Sequence, residues 1–75
     1  MERVPLAGLN KDDRGKVESI RAGSQATKRL YEMGFYTGAE IKVLKNDRGP
    51  LIVALGNNKI ALGRGLAEKM LVAKE

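Results

Sequence analysis

Few residues in this chain are able to do chemistry, and their types limit what that chemistry could be. Asp and Glu together number nine. They are scattered, and only Asp12 and Asp13 are adjacent. A carboxylate pair acting as general acid and base needs a cleft that separates their pKa values. Two neighbours in a polar turn read instead as solvated charges. The sequence has 0 Cys and 0 His. That removes the commonest general base, the Ser/His and Cys/His nucleophile systems and the usual transition-metal ligands. No stretch carries the spaced oxygen ligands of a calcium loop. Met33 and Met70 are soft donors, but Met33 falls on an apolar helix stripe and Met70 in an apolar run, so both are assigned to the core. Gly63-Arg64-Gly65 has the backbone for a phosphate nest but lacks the Lys-Ser/Thr ending of a P-loop. It reads as a sharp turn into a helical segment. No catalytic residue, no metal ligand and no cofactor is expected, and the chain reads as a non-enzyme.

What remains is surface chemistry. Fourteen Lys and Arg give a net charge of +5, which suits an anionic partner: nucleic acid, a membrane surface or an acidic protein patch. Lys28, Arg29, Lys42, Lys45 and Arg48 are candidates for a basic stripe. Single-strand binding adds aromatic stacking platforms, and aromatics make up only 4% of the chain. A solvated basic surface is therefore expected rather than a nucleic-acid groove. The three aromatics, Tyr31, Phe35 and Tyr36, bracket the end of one helix. Phe35 is assigned to cap packing. Tyr31 and Tyr36, with Lys28 and Arg29, are the candidate partner-binding residues, because tyrosine is favoured at interfaces.

The elements that must position these residues are short. A chain of 75 residues has room for one domain, 1–75, with a small core. Glycines punctuate it into pieces too short for a helical bundle. Residues 2–9 read as an edge strand or extended entry around Pro5, and 10–14 as a polar turn. Residues 15–20 form a strand with Val17 inward. Residues 24–33 form the clearest helix, with Ser24 as N-cap and Ala26, Leu30 and Met33 as its apolar stripe. Gly34 follows as a left-handed stop, with Phe35 folding back on Leu30. Strands are expected at 40–46, 51–55 and 59–62, joined by hairpins at Asp47–Gly49 and Gly56–Asn58. A helical turn, Leu66–Met70, leads to a closing strand at 71–73. The architecture expected is mainly β: a small, partly open barrel of about five strands with an inserted helix. No apolar run approaches the ~18 residues of a membrane span, and a cytoplasmic location is the default.

The order of these residues resembles the FeoA family. Arg29-Leu30-Tyr31-Glu32-Met33-Gly34-Phe35 followed by Thr37-Gly38-Ala39-Glu40-Ile41-Lys42-Val43 carries the resemblance. The flanks Leu6-Ala7-Gly8-Leu9, Gly15-Lys16-Val17, Gly49-Pro50-Leu51-Ile52-Val53 and Ile60-Ala61-Leu62-Gly63 with Ala67 and Val72 support it. The resemblance implies an SH3-like barrel with an inserted helix. It implies a cytoplasmic accessory protein of ferrous-iron uptake, membrane-associated through the transporter FeoB, on whose cytosolic part it would dock to modulate assembly or nucleotide cycling. It also implies kinship with the SH3-like C-terminal domain of DtxR-type repressors. Families of this domain are labelled transition-metal-binding, so direct metal binding or sensing is one alternative and a basic nucleic-acid-binding module is another. A self-sufficient repressor is not expected without a helix-turn-helix. Weak homo-oligomerisation through a barrel edge is compatible with the pattern.

Overall fold

The computed structural model describes residues 2–75. In chain order it comprises β1 (Glu2–Pro5), a 3-10 turn (Leu6–Gly8), β2 (Arg14–Ile20), α1 (Ser24–Glu32), β3 (Glu40–Lys45), β4 (Leu51–Leu55), β5 (Asn58–Leu62), α2 (Arg64–Ala67) and β6 (Met70–Lys74). The six strands form one sheet in the order β1-β6-β2-β3-β4-β5, and every neighbouring pair is antiparallel. The sheet is not closed: β1 and β5 are its edges. The count is six strands where the sequence suggested about five, because the entry segment is a true strand, pairing Glu2–Pro5 with Leu71–Lys74.

Alternation along the strands builds the core. Val17, Ile41, Val43, Leu51, Val53, Leu55, Leu62, Met70 and Val72 are buried on one face, and Leu6, Leu9, Leu30, Phe35, Ala39 and Ala67 cover them from the turns and helices. No charged or polar residue is buried among the described residues. Bulges in β2, between Val17 and Ser19, and in β3, between Val43 and Lys45, interrupt the ladders. Each adds local twist, which curls so short a sheet around a single core.

Two expectations need correction. Ser24 is not the N-cap. Gly23 holds that position with φ −61 and ψ 162 and makes no side-chain cap, and its carbonyl accepts from Thr27 at 2.9 Å. The second helix spans Arg64–Ala67 rather than Leu66–Met70, because Gly63 caps it and accepts from the Ala67 N–H at 3.0 Å. Met70 pairs instead with Ile20 in β6. Gly15, in the strand expected at 15–20, is a buried residue inside β2. A Cβ there would stand 2.5 Å from Val72 Cγ1 and 2.6 Å from the Ala73 carbonyl oxygen, so the backbones of β2 and β6 meet where only glycine fits.

Candidate functional site

Helix α1 ends in a way that decides which side chains reach solvent. Met33 is its C-cap and Gly34 takes φ +105. The Gly34 N–H donates to the Tyr31 carbonyl at 3.0 Å, and the Phe35 N–H reaches back to the Leu30 carbonyl at 2.8 Å. This pair of bonds is a Schellman motif, which brings the residue after the glycine against the helix's last buried residue. Leu30 and Phe35 are accordingly sealed in the core at 1% and 0% exposure. With that place filled by Phe35, Met33 turns outward. The expectation that Met33 is a core residue is corrected: it is 40% exposed, beside Tyr31 at 49% and Tyr36 at 56%, and these are the exposed large hydrophobics of the described residues. Met70 does lie in the core.

The four candidate residues do not converge on one spot. At 3.6 residues per turn, Arg29 and Tyr31 leave the helix roughly 200° apart, on opposite sides of the inward Leu30. Lys28 stands on the outer face, away from the core. Arg29 lines an open groove of about 390 Å³ between α1 and β5, together with Ala26, Leu30, Met33, Ala61, Leu62 and Leu66. Tyr36 lines a second hollow with Met33, Gly34, Leu55 and Asn58. Met33 is shared by both. Lys28 and Tyr31 border neither. Sequence periodicity missed Met33; the available signal was Gly34 directly behind it, which marks the end of the helix and so of the stripe.

The charges around the site are free. Four ion pairs exist among the described residues: Arg3–Glu18, Lys16–Glu40, Lys42–Asp12 and Lys74–Asp13. Lys28 and Arg29 are in none of them. Of the residues considered for a basic stripe, Lys42 is committed to Asp12 at 3.9 Å. No group of three or more His, Cys, Asp or Glu that could hold a metal occurs among the described residues. Among the described residues no helix is long and apolar enough to cross a membrane. Both hollows are open and lack convergent buried polar groups, unlike small-molecule pockets. The arrangement suits contact with another macromolecule's surface.

Sequence reasoning also missed a polar cluster at the opposite end of β5. The Asn46 side-chain amide donates to the Ala7 and Leu9 carbonyls and accepts from Arg64 Nη2 at 2.8 Å. Arg64 also donates to the Asp47 and Gly49 carbonyls at 3.0 and 3.2 Å. Its Nη2 thus holds the β3–β4 loop, which gives the Gly63-Arg64-Gly65 turn a structural role.

Comparison with known proteins adds to this geometry. The profile of the FeoA domain matches residues 4–74. A Methanocaldococcus jannaschii protein named as an Fe(2+) transport protein A is 41% identical over 68 residues, which are 91% of this chain and 83% of that protein. A crystal structure described as an iron uptake regulatory protein, FeoA, superposes with a TM-score of 0.93 at 37% identity, covering 99% of this chain and all of that one. A Stenotrophomonas maltophilia FeoA, crystallised with zinc and described as a prokaryotic SH3 domain protein, matches with a TM-score of 0.80 at 28% identity, over 91% of this chain and 87% of that one.

Proposed function

Because the chain belongs to the FeoA family, we propose that it is a non-enzymatic accessory protein of ferrous-iron transport that docks on the cytosolic part of a FeoB-type membrane transporter and modulates its assembly or nucleotide cycle. The carrying observation is that Tyr31, Met33 and Tyr36, the exposed large hydrophobics of the described residues, all lie at the C-terminal end of α1, with Met33 shared between the hollow of Tyr36 and the groove of Arg29, while neither Lys28 nor Arg29 is in an ion pair among the described residues. Tyrosine and arginine at such a patch are the residue types that anchor interfaces, and the cations steer the encounter toward an acidic surface. Ferrous ion is then the transporter's cargo. This chain, without His or Cys, contributes contacts rather than ligands, and its place of work is the cytoplasmic face of the membrane.

A binding titration with the transporter's cytosolic portion tests this reading. Charge reversal at Lys28 and Arg29 combined with Tyr36→Ala is expected to weaken binding by at least about tenfold, since a single anchor residue is commonly worth ≥ ~2 kcal/mol. Unchanged affinity in a variant that keeps its cooperative thermal transition removes this end of α1 from the docking model.

A further inference from the structure

The two edges of the sheet are not equivalent. β1 has four residues and ends at Pro5, which has no N–H to offer, so that edge is blunted. β5 is different. The two-residue turn Gly56–Asn57 sets Leu55 opposite Asn58, the hydrogen-bonded pair that closes such a hairpin. Alternation then directs the Ile60 and Leu62 amides toward β4, and those of Lys59 and Ala61 toward the open side. Neither Lys59 nor Ala61 has a turn, loop or cap hydrogen bond among the described residues. Helix α1 stands beside this edge and forms the groove's other wall through Ala26, Leu30 and Met33. A free strand edge facing an apolar helix wall is the geometry by which proteins capture extended peptides.

We propose that this groove receives an extended acidic segment of a partner protein, which adds to β5 as a seventh strand. Its backbone pairs with Lys59 and Ala61, and one apolar side chain enters the hollow over Leu30 and Leu62. A carboxylate at the groove's rim meets Arg29, and those on the outward face of the added strand lie beside Lys59. Charge selects this occupant: no carboxylate lines the groove and Arg29 is its one charged lining residue, Lys59 is exposed on the outward face of the same edge strand, and neither cation is held in an ion pair among the described residues. The inference deepens the docking reading and rests on it, giving the mode of contact and the chemistry of the bound segment.

Amide chemical-shift mapping of the whole chain tests it, with three synthetic ten-residue peptides as probes. One alternates Glu and Val, one alternates Lys and Val, and one is the Glu/Val peptide N-methylated at alternate residues. The acidic peptide is expected to shift the amides of residues 59–63 and 26–33 saturably, and each of the other two to bind at least tenfold more weakly. Arg29→Glu is expected to reduce affinity for the acidic peptide by a similar factor. Ala61→Pro, which removes an outward N–H, is expected to abolish the shifts; the N-methylated peptide makes the same point without altering the protein. Absence of saturable shifts, equal binding of the N-methylated peptide, or β5-mediated dimerisation in sedimentation without peptide binding each overturns the proposal. If Ala61→Pro binds the transporter normally while the Lys28/Arg29/Tyr36 variant does not, strand addition is overturned and the docking reading stands.

Discussion

Asn46 has one short side chain, yet it joins three parts of the molecule that are far apart in sequence. Its amide nitrogen serves carbonyls of the 3-10 turn and of Leu9, and its oxygen takes the Arg64 guanidinium. Residues in such turns have few backbone partners of their own, so a side chain must satisfy them. Asn46→Ala leaves two partly buried carbonyls and a guanidinium short of partners. It is expected to cost about 1–3 kcal/mol in denaturant unfolding. Asn46→Asp separates the two roles: it keeps an acceptor for Arg64 but loses both donors, so an isosteric change should still destabilise by a comparable amount. A variant as stable as the parent would mean that these bonds are replaced by water without loss. The sequence marked Arg64 only as part of a Gly-Arg-Gly turn and did not single out Asn46, because a polar residue at a hairpin end looks the same whether it faces solvent or ties loops together.

At the scale of elements, local chemistry was legible and long-range approach was not. Val17, Ile41, Val43 and Leu62 alternate as a half-buried sheet requires, and the Gly34–Phe35 stop was readable from residue types alone. The four candidate docking residues were legible as a cluster in sequence, but not the opposite sides of α1 on which Arg29 and Tyr31 emerge. Gly15 shows the limit most clearly. As a letter it only opens the expected strand; its buried place is set by β6, some 55 residues downstream, whose Val72 and Ala73 press against it. Gly15→Ala would force a methyl group into contact with a backbone carbonyl that cannot swing aside. Overpacking of this kind costs about 1–3 kcal/mol. The variant should unfold at lower denaturant, and its loss should appear as faster hydrogen exchange in β2 and β6 before β4 and β5. Uniform exchange, or unchanged stability, would show that the sheet relaxes around the added atom.

The whole molecule separates what holds it together from what draws a partner to it. The fold rests on an apolar core with no buried charge among the described residues. The four ion pairs among the described residues lie at strands and turns of the sheet, none on α1, and all involve exposed or partly exposed side chains. Such pairs are each worth about 0–1 kcal/mol and weaken in salt. The net charge of +5 therefore acts mainly at a distance, on encounter. Raising the ionic strength from about 0.1 M to about 1 M shortens the screening length from about 10 Å to about 3 Å. Over that range the unfolding free energy should change by no more than about 1–2 kcal/mol. If the proposed docking holds, the association rate with the transporter's cytosolic portion should fall by about tenfold or more, while the dissociation rate changes far less. Stopped-flow association at several salt concentrations, alongside denaturant melts in the same buffers, measures both. A salt-independent association rate would leave Tyr31, Met33 and Tyr36 as apolar anchors but strip Lys28 and Arg29 of their steering role. A collapse of stability would place the excess charge in the fold itself.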